Sequence, residues 1–69
     1  MSDMDIPPAV GAPARRALAG AGWTRLDQLT TVTERDLRAL HGVGPKAIGV
    51  LRVALRERGL SLAGEQADT

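Results

Sequence analysis

The stretch Gly42-Val43-Gly44-Pro45-Lys46 constrains this chain more than any other. It lies between Leu37 and Leu40 on one side and Ile48 and Leu51 on the other, both at helical spacing. Two glycines two residues apart admit a tight turn with positive φ and the close approach of another backbone. Pro45 has the fixed φ suited to the first position of a helix. The reading is helix, glycine turn, helix. The N–H groups of Gly44, Lys46 and Ala47 are then expected to stand free at a helix start, beside the positive end of its dipole. Lys46 adds a full charge at the same place. A turn built this way is an anion site, and a phosphate is its natural occupant.

Gly42-x-Gly44-x-x-Ala47 formally matches the dinucleotide fingerprint, which needs a buried strand before its first glycine. Here Leu37-Arg38-Ala39-Leu40 precedes it, a helical pattern, and 69 residues are too few to wind a Rossmann sheet. No G-x-x-x-x-G-K-[ST] occurs either. A nucleotide cofactor is therefore excluded, and the backbone of a nucleic acid is left as the expected ligand.

Length allows one small domain, with a core worth no more than about 3–5 kcal/mol. Its apolar residues are aliphatic apart from Trp23, so stacking of bases on an aromatic platform is not expected. Absence of cysteine excludes disulfides and cysteine zinc sites and agrees with a cytoplasmic protein. The start Met1-Ser2-Asp3-Met4-Asp5 is acidic where a signal peptide would be basic, and no apolar run approaches a membrane-spanning length. Net charge is +1, but residues 6–64 hold all nine basic residues and four acids, Asp27, Glu34, Asp36 and Glu57. A basic folded part with acidic ends is expected.

Periodicity divides the chain into short helices and no strands. Residues 1–9, with two acids and two prolines, read as a disordered N-terminal segment. A helix is expected from Pro13 through Ala14, Ala17 and Leu18, stopped by Gly20 and Gly22. Trp23 reads as the core plug where the first two helices meet. Thr24-x-x-Asp27 and Thr33-x-x-Asp36 resemble capping boxes and open two further helices. The longest helix is expected over residues 45–58 and closed by Gly59. Leu60 and Leu62 fold back on the core, and residues 63–69 form a frayed tail. The expected fold is all-α, a compact bundle of four to five short helices over residues 10–62. A faint echo at an offset of 37 relates Arg15, Ala17, Leu18 and Gly22 to Arg52, Ala54, Leu55 and Gly59.

These residues resemble the helix-hairpin-helix family, and more closely the C-terminal domain of the bacterial RNA polymerase alpha subunit. The resemblance rests on Thr33-Glu34-x-x-Leu37, Leu40-x-Gly42-Val43-Gly44-Pro45-Lys46 and Arg58-Gly59-Leu60-Ser61-Leu62. It implies a SAM-like helical fold, a bacterial free-standing relative of that domain, and a link to transcription. It further implies that the hairpin backbone and the head of the first helix grip DNA phosphates across the minor groove. By position, Gly44 and Lys46 match hairpin contacts. The family's principal first-helix arginine falls on Pro13, with Arg15 and Arg16 two and three residues later as substitutes. A polar hairpin position is Ala47 here, and an acidic position of the last helix is Val50.

Cations at helix starts oppose the macrodipole, at a cost of about 0.3–1 kcal/mol each. Arg15, Arg16 and Lys46 break this local rule, and such breaks gather at functional sites. His41 has no partner residues for metal binding or nucleophilic catalysis and reads as a loop residue.

The expected function is a non-enzymatic DNA-binding module with double-stranded DNA as partner, no cofactor, no metal and no small-molecule substrate. Its contact residues are Arg15, Arg16, Gly42, Val43, Gly44, Lys46 and Ala47. The alternative is a protein-interaction adaptor, its partner a transcription-related protein, which would use Val50 and Val53 exposed on the last helix.

Overall fold

A computed structural model describes residues 5–65. The described residues form helices joined by short turns, with no strand among them. A 3-10 turn, Pro8–Val10, leads into α1, Ala12–Gly20. A 3-10 helix, Leu26–Thr31, follows, then the short α2, Glu34–Arg38, and the long α3, Pro45–Glu57. No helix among the described residues is long and apolar enough to cross a membrane.

α3 is the central element. Ala47, Ile48, Leu51 and Leu55 recur at helical spacing, so they share one face, and all four are buried. That face packs against Pro8–Val10, Leu26–Thr31 and α2. Leu18, Leu26, Leu29, Leu37 and Leu62 complete an aliphatic core, and no polar or charged side chain among the described residues is buried. Trp23 is half-buried at the edge of this core rather than its plug; leucines fill the interior.

Each helix end has a visible cause. Thr33 and Asp36 form the expected capping box: Asp36 N–H donates to Thr33 Oγ1 at 3.1 Å, and Thr33 N–H donates to Asp36 Oδ2 at 3.2 Å. The expected box at Thr24 and Asp27 does not form. Gln28 Oε1 accepts from both Thr24 N–H and Arg25 N–H at 2.9 Å, and the 3-10 helix starts at Leu26. The longer amide reaches back over two residues where the shorter Asp27 turns aside to Arg25.

α1 and α3 end in the same way. Trp23 N–H donates to Leu18 O and Leu60 N–H to Leu55 O, each at 2.8 Å, with Gly22 at φ 86° and Gly59 at φ 73°. Both are Schellman motifs with glycine in the left-handed position. The residues related by the faint sequence echo therefore occupy equivalent places. At their starts, Val10-Gly11 and Val43-Gly44 precede the helices, with both valines buried. α1 has nine residues and α3 thirteen, a difference of about one helical turn.

Both chain ends depart from expectation. Residues 5–9 belong to the fold: Ile6 is 2% exposed, and Asp5 N–H donates to Thr24 O at 2.8 Å. Asp5 Oδ2 accepts from Arg58 Nη1 at 2.9 Å. The two prolines, read as marks of disorder, instead begin the 3-10 turn that seats Val10. Residues 1–4 of that segment lie outside the described residues. In the expected frayed tail, Ala63 N–H donates to Val32 O at 2.9 Å. Glu65 accepts from Arg52 Nε at 3.0 Å and from Nη2 at 2.6 Å, and Arg52 also pairs with Glu34. Residues 66–69 lie outside the described residues. Asp5 and Glu65 thus fold onto basic partners instead of forming separate acidic ends, and residues 5–65 carry nine basic against six acidic groups.

The matched helix ends and the Glu65 tie each lend themselves to a stability measurement. A Cβ at Gly22 or Gly59 meets nothing within 4 Å, so alanine there adds only the left-handed backbone cost. Gly22→Ala and Gly59→Ala should each destabilise by about 1–2 kcal/mol in urea melts, nearly equally. A difference larger than that cost would contradict the equivalence of the two helix ends. The carboxyl of Glu65 is held below its usual value of 4.5 by the hydrogen bonds from Arg52. A depressed carboxyl stabilises the fold above its unfolded value and loses that contribution as pH falls through the folded value. Acidification followed by NMR should show the Glu65 carboxyl and the Arg52 Nε–H changing together with a midpoint below 4.5. A midpoint at or above it would contradict the tie.

Candidate nucleic-acid interface

The glycine turn is shaped by two glycines used in different ways. Gly42 has φ 99°, and a Cβ there would lie 3.0 Å from the Pro13 carbonyl oxygen. Both the backbone angle and the close approach of α1 require glycine. Leu40 O accepts from Val43 N–H at 3.3 Å and closes the turn. Gly44 is extended, with φ −109° and ψ −176°, and caps α3 without a side-chain hydrogen bond. A Cβ at Gly44 would meet nothing within 4 Å. Nothing inside the described chain requires glycine there.

The first hydrogen bond of α3 runs from Ile48 N–H to Gly44 O at 3.0 Å. The N–H groups of Gly44, Lys46 and Ala47 have no acceptor among the described residues, as expected of a helix start. No acidic residue stands in the first turn of α3, and the Lys46 side chain is exposed without an ion pair among the described residues.

Contact between Gly42 and Pro13 brings the head of α1 to the turn. Pro13, Arg16, Ala17, His41 and Gly42 line an open groove that no acidic residue among the described ones enters. Arg16 is exposed along it, and Arg15, one residue earlier, is half-buried. Of the predicted contact residues, Arg16 and Gly42 line this groove, and Gly44 and Lys46 follow Gly42 in the turn and at the start of α3. Two others serve differently. Val43 is 7% exposed and its N–H is engaged, so it is a core residue of the turn rather than a contact. The Ala47 side chain is 5% exposed, which leaves only its backbone N–H to face outward. The helical spacing of Ala47, Ile48, Leu51 and Leu55 accounts for the burial of Ala47; the turn's own need for an apolar anchor at Val43 was the missed signal.

Other arginines are neutralised elsewhere. Arg38 pairs with Glu34 at 2.7 Å, Arg58 with Asp5 at 2.9 Å and Arg25 with Asp27 at 3.3 Å. Sequence reasoning did not single out Pro13 and His41 as neighbours across the groove, since they are 28 positions apart in the chain.

The rival surface is smaller than expected. Val53 is 54% exposed, but Val50 is half-buried against the core and does not extend the patch.

Gly44→Ser provides a test of the helix start. Serine suits an N-cap and would satisfy one of the free N–H groups from within. Chemical denaturation should show a gain of a few tenths of a kcal/mol, the usual difference between serine and glycine caps. A clear loss of stability would mean that the fold itself needs glycine at this position.

In comparisons with known protein families, characterised proteins and solved structures, nothing matches this chain.

Proposed function

We propose that this chain is a non-enzymatic module that holds duplex DNA by its phosphate backbone on the minor-groove side, with little reading of sequence. The observation that carries the proposal is the start of α3: three unused N–H groups, an unpaired lysine and an open approach at Gly44 among the described residues. Backbone donors at a helix N-terminus suit one phosphate oxygen cluster. Lys46 and Arg16 would then meet neighbouring phosphates as point charge and fork, respectively. Lys46 is a cation that its own helix dipole disfavours, and an arriving phosphate removes that conflict; Arg16, fifth of the nine residues of α1, lies beyond its first turn.

The resemblance to helix-hairpin-helix domains, and to the polymerase alpha C-terminal domain in particular, supports the same reading. In that family DNA lies at the corresponding turn and first-helix head. Pro13 stands where that family keeps its principal arginine, and it packs against Gly42 here, so Arg16 is the substitute this reading adopts. Contacts to phosphates fix position and carry no base information, which is why little reading of sequence is expected.

The test is a two-dimensional amide NMR titration with a short duplex at low salt and again near physiological salt. Shifts should gather at Arg16 and residues 42–47 and shrink as salt rises. With roughly three phosphates neutralised, the log–log salt slope should be about −3. Lys46→Glu should weaken binding about equally on unrelated sequences. No shifts at low salt would overturn the reading. Shifts confined to the surroundings of Val53, on adding a protein extract fraction, would favour the adaptor role, for which Val53→Glu is the selective variant.

A further inference from the structure

At the other end of α3 lies a second pocket, of about 240 Å³, lined by Arg52, Arg56, Leu60, Ser61, Leu62 and Glu65. We propose that this pocket is a phosphate-group site which Glu65 occupies from within, as a displaceable internal anion.

The first reason is the geometry of the existing tie. Arg52 offers Nε and Nη2 side by side to the two oxygens of Glu65, at 3.0 and 2.6 Å. This forked arrangement is the one guanidinium groups use for carboxylates and phosphates alike.

The second reason is that the pocket offers more donors than Glu65 uses. Arg56 and the Ser61 hydroxyl line it with no hydrogen bond or ion pair among the described residues. A carboxylate bound edge-on to Arg52 spends one lone pair of each oxygen there, and among the described residues neither Arg56 nor Ser61 donates to those that remain. A phosphate keeps at least one more oxygen and a second charge. Leu60 and Leu62 form apolar walls, which strengthen such contacts by excluding water.

The third reason is that Glu65 can leave without unfolding its neighbours. Leu62 is fully buried and anchors the tail, and Ala63 is held by Val32. Gly64 between them and Glu65 has φ 80° and open space around its Cα, so rotation there moves Glu65 at the cost of one backbone hydrogen bond, from Glu65 N–H to Leu62 O at 3.0 Å. When it swings out, Arg52 still faces Glu34 and Arg56 is unmet, leaving the pocket positively charged.

This site is separate from the α3 start and does not depend on the DNA reading. The probe is inorganic pyrophosphate, titrated into the wild-type protein and Glu65→Gln, with the Arg52 Nε–H and Ser61 amide signals followed by NMR. Glu65→Gln should respond at a concentration about tenfold lower than wild type, the factor expected on removing a charge-assisted internal competitor. Adding Arg56→Ala should cancel the gain, and an unchanged Leu62 methyl signal would show that the tail anchor holds. Equal midpoints in wild type and Glu65→Gln, or no response of Ser61 in either, would overturn the proposal. So would a gain that survives Arg56→Ala. A short duplex in place of pyrophosphate distinguishes the source of the phosphate. Response to both assigns it to a nucleic-acid backbone, and response to pyrophosphate alone assigns it to a free polyphosphate.

Discussion

Burial of one face of α3 is the constraint on which the rest of the molecule depends. Ala47, Ile48, Leu51 and Leu55 present a narrow aliphatic stripe, and the surrounding segments contribute apolar side chains to cover it. In a domain this small the whole core is worth about 3–5 kcal/mol. Removing one buried leucine costs about 2–5 kcal/mol, so no single leucine of the set is dispensable. That scarcity explains why both chain ends are drawn in. Ile6 and Leu62 are core residues supplied by segments with no regular α-helix, and each is secured by an ion pair nearby, Asp5 with Arg58 and Glu65 with Arg52.

The two ties have an electrical consequence. Both acids meet arginines in the C-terminal half of α3 or just beyond it, away from the positive end of the helix dipole. At the N-terminal end no acid is supplied, although the dipole there would welcome one. Lys46 and Arg16 remain exposed and unpaired among the described residues at that end. Charge is thus distributed so that attraction for an external anion is strongest where internal compensation is weakest. Exposed ion pairs contribute little stability, about 0–1 kcal/mol each, so their placement bears more on which surface attracts an anion than on how firmly the chain folds.

How much of this was legible in the sequence follows from what kind of force decides each feature. α3, its proline start and its glycine end were readable because local rules act there and the core agrees with them. The Thr33–Asp36 box was readable for the same reason. Thr24 and Asp27 carried a similar pattern, yet Gln28 won because its longer side chain reaches two N–H groups at once. Ile6 was missed because its burial depends on Thr24 and Arg58, which are remote in sequence. Of the candidate site, the free N–H groups and Lys46 followed from the turn alone. Val43 and Val50 did not, since their burial is set by packing against the core, which a helical wheel does not encode.

The pairing of α1 with α3 shows how one local solution serves twice. Both begin after a buried valine and a glycine, and both leave through a glycine in the left-handed position. Their lengths differ by one turn, so side chains stay in phase at both ends. Leu18 corresponds to Leu51 when counted from the helix start and to Leu55 when counted from the helix end, and all three are fully buried. The glycines that open the two helices nevertheless differ. Gly11 has φ 94° and Gly44 has φ −109°, so only the first is demanded by its own backbone. At Gly44 the chain keeps a residue without a side chain where any residue would fit, at a helix start that also carries an unpaired lysine among the described residues. Steric freedom and uncompensated charge coincide there, which is the condition an incoming anionic backbone requires.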